Sequence, residues 1–218
     1  MFFVIDFNIF IYCSIYCSIV RMNEISKFIV FIVLILFFTI ILMILIENCE
    51  LFIEYKISNK NNKKYGIQEK FNEPETALDI LAKLDDTMSN FIKDLKQKYP
   101  SDDRVKRLEK GFKRAQIEEA PDEENTTSYT VNKGDVMALC LRHKTDNRPF
   151  HDIGTLSFVI IHEMAHIASI TEGHNDEFVT NFIFLLKEAA NLGYYTPVNY
   201  KHNPITYCGL SVTNNPYY

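Results

Sequence analysis

Nineteen consecutive residues, Phe28 to Ile46 (FIVFIVLILFFTIILMILI), carry no charge and one polar side chain, Thr39. As a helix, such a run spans roughly 28 Å at 1.5 Å per residue, about the thickness of a bilayer's hydrocarbon core. It has no polar face of the kind a surface helix of a soluble domain would show. It is longer than a usual signal-peptide core, and Glu47-Asn48-Cys49-Glu50 offers no small-residue cleavage site. The pattern predicts a retained single-pass anchor over 28–46, flanked by an N-terminal segment 1–27. Residues 1–20 are also apolar, broken by Asp6 and Asn8, and fit either a weaker membrane-associated stretch or translation from Met22.

Beyond the anchor the pattern changes. Residues 57–72 (SNKNNKKYG at their centre) show no apolar period, and 47–74 reads as a linker to a domain over 75–218. Pro74-Glu75-Thr76 opens a helix in which Ala77, Leu81, Leu84, Met88, Phe91 and Leu95 recur at helical spacing, ending at Tyr99-Pro100. Ser101-Asp102-Asp103 caps a shorter helix with Val105, Leu108 and Phe112 inward and Arg104, Lys106, Arg107, Lys110, Lys113 and Arg114 on its other side. An acidic loop follows at 121–125. Ser128–Val131 and Val136–Leu141 then read as strands around the turn Asn132-Lys133-Gly134. A strongly apolar helix runs from Asp152 or Thr155 to about Ile170, and another follows the cap Asn175-Asp176, closing at Leu192-Gly193. The tail, 194–218, holds six tyrosines and shows no period. The order of elements predicts an α+β domain.

The formal net charge of −5 lies wholly in 47–218, because Arg21 and Lys27 balance Asp6 and Glu24. A mildly acidic domain gives no general electrostatic case for nucleic acid, and the basic helix face 104–114 reads first as a solvated face. Lys56, Lys60, Lys63 and Lys64 follow the anchor, so counting basic residues places the large domain on the cytoplasmic side of a membrane. The five cysteines form no C-x-x-C pair, which disfavours a zinc ribbon or a disulfide framework. Cys140 and Cys208 read as two buried thiols in preference to a bridge.

The candidate chemistry lies in His162-Glu163-Met164-Ala165-His166. Histidines four apart share one helix face, so both imidazoles reach one ion, and the glutamate beside the first lies where it can act on a metal-activated water. His162 and His166 are the candidate zinc ligands, His174 the third, Glu177 its reserve, and Glu163 the general base. Glu172 and Asp176 are candidates to hold imidazole N–H groups. The strand Val136–Leu141 is a candidate edge for an extended peptide. A carbonyl-polarising donor has five sources, Tyr194, Tyr195, Tyr200, His202 and Tyr207, and nothing in the sequence ranks them. His143, His151 and His202 read as ordinary surface or loop histidines.

The run from Val136 to Ala190, with HEMAH and then Gly173-His174-Asn175-Asp176-Glu177-Phe178, resembles the WLM family of zinc metallopeptidases, related to the SprT/Spartan proteases. Tyr207-Cys208-Gly209 is similar to a motif in WLM-like proteins of large DNA viruses. The resemblance implies a zincin-like fold, a small sheet packed on the HExxH helix. It also implies zinc held by His162, His166 and His174, with Glu163 catalytic, Phe178 in the core, and protein or peptide as substrate. The seven residues between His166 and His174, and the anchor, depart from the family's pattern, so metal and peptidase class transfer better than substrate does. Two rival readings remain: a zinc-stabilised scaffold without turnover, and a protease acting on DNA-bound proteins through the basic face.

Overall fold

The structure is a computed structural model that describes residues 23–48, 53–121, 126–145 and 147–218. The readings of residues 1–22 and of the acidic loop at 122–125 lie outside these. The chain divides into two compact units, Met1–Leu51 and Phe52–Tyr218. In the first, α1 (Glu24–Asn48) is long and apolar enough to cross a membrane, by length and composition, and none of its side chains from Glu24 to Met43 is buried. The Thr39 hydroxyl donates to the Leu36 carbonyl within the helix, so the run's one polar group is satisfied internally.

The second unit is built on a mixed five-stranded sheet of order β1-β2-β3-β5-β4. Its strands are β1 (Glu54–Ile57), β2 (Lys64–Ile67), β3 (Gln116–Glu119), β4 (Tyr129–Val131) and β5 (Val136–Leu139). The pairs β1–β2 and β4–β5 are antiparallel, while β2–β3 and β3–β5 are parallel. The first two strands fall inside the segment read as a linker. They are two of the sheet's five strands and form its edge hairpin: Tyr65, Ile67, Ser58 and Gln68 are buried, and Tyr65 donates to Asp85 at 2.6 Å. Four-residue strands with one wet partner are too short to show an apolar alternation, which is why the sequence read as a tether.

Two helices cover one flank. The 25-residue α2 (Pro74–Lys98) has proline at its start, where the missing N–H costs nothing, and Lys96 and Lys98 at its C-terminal end. Its stripe of Ala77, Leu81, Leu84, Met88, Phe91 and Leu95 is buried as the spacing predicts, and it packs on β2 and β3. In α3 (Asp103–Arg114), Asp102 caps the N-terminus by accepting from Arg104 N.

The apolar helix α4 (Ile153–Ala168) starts where Asp152 accepts from Thr155 N and its hydroxyl. Helix α3, helix α5 (Asp176–Asn191) and strands β4 and β5 all contact it, which explains why its pattern is apolar nearly all round. Two glycines set how closely the layers approach. A Cβ at Gly111 would lie 2.6 Å from the Lys133 carbonyl oxygen and against Ile167, and Gly134, at φ 105°, turns the β4–β5 hairpin over that spot. The tail forms a hairpin of β6 (Ile205–Tyr207) and β7 (Leu210–Val212), with Tyr195, Tyr200 and Tyr207 buried. Cys140 and Cys208, 68 residues apart, are joined by a disulfide, which corrects the reading of two separate thiols. Only the fold could bring the end of β5 beside the β6–β7 turn.

Candidate metal centre and cleft

His162 and His166 lie one turn apart on the same face of α4. The helix stops at Ser169, whose hydroxyl donates to Ala165 O and accepts from Asn181 Nδ2 at 2.9 Å. The chain then reverses in a loop held by one carboxylate. Glu177 accepts from Ile170 N, Thr171 N and the Thr171 hydroxyl at 2.6–2.9 Å. Those backbone amides, first that of Ile170, and the hydroxyl hold its carboxyl down at about 2. Asn175 caps α5 by accepting from Phe178 N and ties back to Thr171 and Glu172. Gly173, at φ 79°, completes the reversal. The loop brings His174 Nε2 to 3.0 Å from His162 Nε2 and 3.2 Å from His166 Nε2.

Ligand nitrogens arranged tetrahedrally at about 2.0–2.1 Å from one zinc stand roughly 3.3 Å apart, so this spacing fits a single small ion. The donor set fits as well. Burial, then the neighbouring imidazoles, hold His162 down to about 3; burial, then His174 and Lys133, hold His166 at about 4. Both rings therefore present neutral lone pairs at neutral pH. Phe178 forms the floor, with its ring centroid 4.3–4.8 Å from all three imidazoles, and Phe182 flanks His162 at 5.1 Å.

Glu163 is 3 % exposed and points toward β4, where Oε2 accepts from the Thr130 hydroxyl at 2.9 Å. Burial pushes its carboxyl up to about 7, partly opposed by the Thr130 hydrogen bond. Sequence reasoning passed over Thr130, since a threonine in a short strand carries no signal of its own. A cavity of about 400 Å³ between β4 and the loop is lined by all three histidines and Glu163. A second, of about 370 Å³, continues past His162 and Glu163 to the β6–β7 hairpin. A larger cavity of about 710 Å³ lies between α2, α3 and β2–β3 and shares no residue with these two.

The structure ranks the candidate donors. Tyr194 donates to Asp94 at 2.6 Å, Tyr195 accepts from Asn215, Tyr200 packs its ring on Phe158, and His202 is exposed in a turn. Tyr207 alone of the five lines the cleft. Its hydroxyl is 2.6 Å from Ser128 Oγ, and burial raises its phenol well above the ordinary value, so it stays protonated. Other readings need correction. Glu177 serves the loop instead of the histidines, and Glu172 pairs with Lys133. Strand β5 is interior, and the edge is β4. His151 lies in the loop before α4, as read, but is buried there at 5 % exposure. Four cations of the α3 face are engaged: Arg104 with Asp102, Lys106 with Asp103, Arg107 with the Ala168 carbonyl, and Arg114 with Asp135.

The profile of the WLM domain matches residues 59–216. This chain belongs to the WLM family. The match takes in β2, the histidine cluster and the β6–β7 hairpin, and the family is one of metallopeptidase-like proteins. An uncharacterized protein of Acanthamoeba polyphaga mimivirus is 33% identical over 168 residues, covering 72% of this chain and 81% of its own length. Uncharacterized proteins of Invertebrate iridescent viruses 3 and 6 are 42% and 35% identical over 74 residues, about a third of this chain and 45% and 41% of theirs. No solved structure matches the chain. The WLM domain so defined begins at residue 59, well inside the segment read as a linker.

Proposed function

We propose that this WLM protein is a zinc metallopeptidase with a zincin-like domain, anchored to a membrane by α1, with its large domain on the cytoplasmic side. The observation that carries the reading is the convergence of His162, His166 and His174 Nε2 atoms beside the buried carboxylate of Glu163. Bound there, zinc would supply Lewis-acid polarisation of water and of the scissile carbonyl.

The chain's own groups supply the rest. Thr130 holds Glu163 Oε2, so Glu163 takes the proton of the attacking water and passes it to the leaving amine. Strand β4 pairs with β5 along one side only among the described strands, so its other side is the place for a substrate backbone to add as a further strand. Tyr207 donates to the developing oxyanion from the far side of the cleft. Phe178 and Phe182 keep water away from the histidines' lower side. Protein or peptide is thus the substrate class. The ion pairs of α3 weigh against nucleic acid as an obligatory partner, and turnover would separate this reading from a zinc-stabilised scaffold.

The test is Glu163→Gln in the full chain. It should keep about one zinc in the three-histidine site and lose cleavage of a peptide library by a factor on the order of 10² or more. Cleavage at the wild-type rate would remove Glu163 from the mechanism, and a wild-type chain that cuts nothing would leave the scaffold reading.

A further inference from the structure

A second convergence of metal-ligating side chains lies outside the cleft. Cys140 follows β5, His151 precedes α4, and Cys208 sits in the β6–β7 turn in the left-handed region at φ 48°. All three are buried, and their sulfur and imidazole donor atoms lie within 4.8 Å of one another. His151 Nε2 is 3.4 Å from Cys208 Sγ. The His151 ring also hydrogen-bonds the Arg142 backbone, and the His143 ring lies 3.8 Å from it, centroid to centroid. None of these residues belongs to the three-histidine cluster.

The disulfide explains the two sulfurs but not the imidazole. A sulfur already in a disulfide is a weak acceptor, a poor reason to bury a ring nitrogen against it. Two thiolates and an imidazole nitrogen are, by contrast, a donor set that a borderline-soft divalent ion selects. The hydrogen bond to the Arg142 backbone helps hold the ring in place, as partners of metal-binding histidines do.

We propose that Cys140, Cys208 and His151 form a second, structural metal site that takes a zinc-class divalent cation when the cysteine pair is reduced. The chemistry balances simply. Two equivalents of a low-molecular-weight thiol reduce the S–S bond, leaving two protein thiols and one external disulfide. Binding of the cation then releases the two thiol protons, and His151 adds its neutral nitrogen. The fourth position falls to water or to His143, the nearest further imidazole. The site ties the end of β5 and the start of α4 to the β6–β7 hairpin, a two-stranded piece too small to be stable alone. Tyr207, next to Cys208, is thereby held at the cleft in reducing surroundings by the metal and in oxidising ones by the disulfide.

The test uses the full chain in detergent micelles, reduced with a phosphine, stripped of metal and titrated with Co²⁺. With Cys13, Cys17 and Cys49 replaced by serine throughout, about two cobalt ions per chain are expected, with a near-ultraviolet thiolate-to-cobalt charge-transfer band that the three-histidine site has no sulfur to give. Cys208→Ser or His151→Ala should lower binding to about one ion, and Cys208→Ser should remove the band. His162→Ala combined with His166→Ala should also leave about one ion but keep the band, so failure of the three-histidine reading is told apart from failure of this one. Diamide added to the cobalt-loaded wild type should oxidise the two thiolates, being itself reduced to the hydrazine, and abolish the band without any substitution. A reduced wild type with no band, or a band that survives Cys208→Ser, overturns the proposal.

Discussion

Burial gives the side chains of the cleft their chemistry. It makes His162 and His166 neutral donors and lifts Glu163 to about 7, where a base can both take and return a proton near neutral pH. The same shifts set a pH dependence for the metal-free chain. His162 and His166 have folded values of about 3 and 4 against an ordinary 6.5, so between pH 6.5 and 4 the unfolded chain takes up protons that the folded chain refuses. Their contribution is therefore fully present above pH 6.5 and falls as pH drops, through about 4 for His166 and about 3 for His162. The raised Glu163 carboxyl acts in the opposite sense between pH 7 and 4.5, so denaturant unfolding of metal-free Glu163→Gln protein at pH 7 and pH 5 should show the loss cleanly, and adding His162→Ala should flatten it. Tyr207 is the second residue whose role can be isolated. Tyr207→Phe should lower turnover on the order of 10²-fold while leaving zinc content unchanged. Its lost bond to Ser128 should cost about 1 kcal/mol of stability. Unchanged turnover would return the oxyanion role to another group.

At the scale of elements, the turn between α4 and α5 decides whether the third histidine arrives. The sequence offered Glu177 as a substitute ligand. The structure uses it to pin the loop, through two backbone amides and a hydroxyl, so that His174 faces back toward α4. Glu177→Ala should leave α5 helical by circular dichroism, because Asn175 still caps it, and weaken zinc binding roughly 10- to 100-fold, the effect typical of losing a ligand's support. Wild-type affinity in this variant would mean the loop holds its shape without the carboxylate. Helices α2 to α5 were readable from the sequence nearly to the residue, because their apolar period and capping residues are local. Helix α4 carries both signals at once, an Asp152 cap and a nearly continuous apolar run. Strands β1 and β2 were not readable. The burial of β2 comes from α2 and from β3, about fifty residues on, and β1 is mostly exposed.

For the whole molecule, the boundary of the folded unit is a prediction with two sides. A chain of 53–218 should fold, keep about one zinc in the three-histidine site and cleave as the full chain does, since α1 belongs to a separate unit. A chain of 75–218, the domain that pattern alone suggested, lacks β1 and β2. It removes the buried Tyr65 and Ile67, each worth roughly 1.5–3 kcal/mol of burial, and leaves Asp85 without its Tyr65 partner. It should unfold or aggregate at a temperature where 53–218 is native, as thermal unfolding of the two would show. Equal stability would restore the linker reading.

What the sequence determined is what neighbouring residues can express. The apolar run of α1, the helices, the β4–β5 hairpin and the HEMAH pair all depend on spacing within a few turns of chain. His174 also belongs here, since a glycine-histidine step before a capped helix is a local signal. Tertiary structure decided everything that pairs distant residues. It set Thr130 against Glu163 across 33 positions, brought Tyr207 alone of the five candidates to the cleft, and made β4 the edge. It also brought Cys140, His151 and Cys208 into one buried cluster. Hydrogen bonds and donor sets of this kind form between surfaces that only packing brings together, and no periodicity records them.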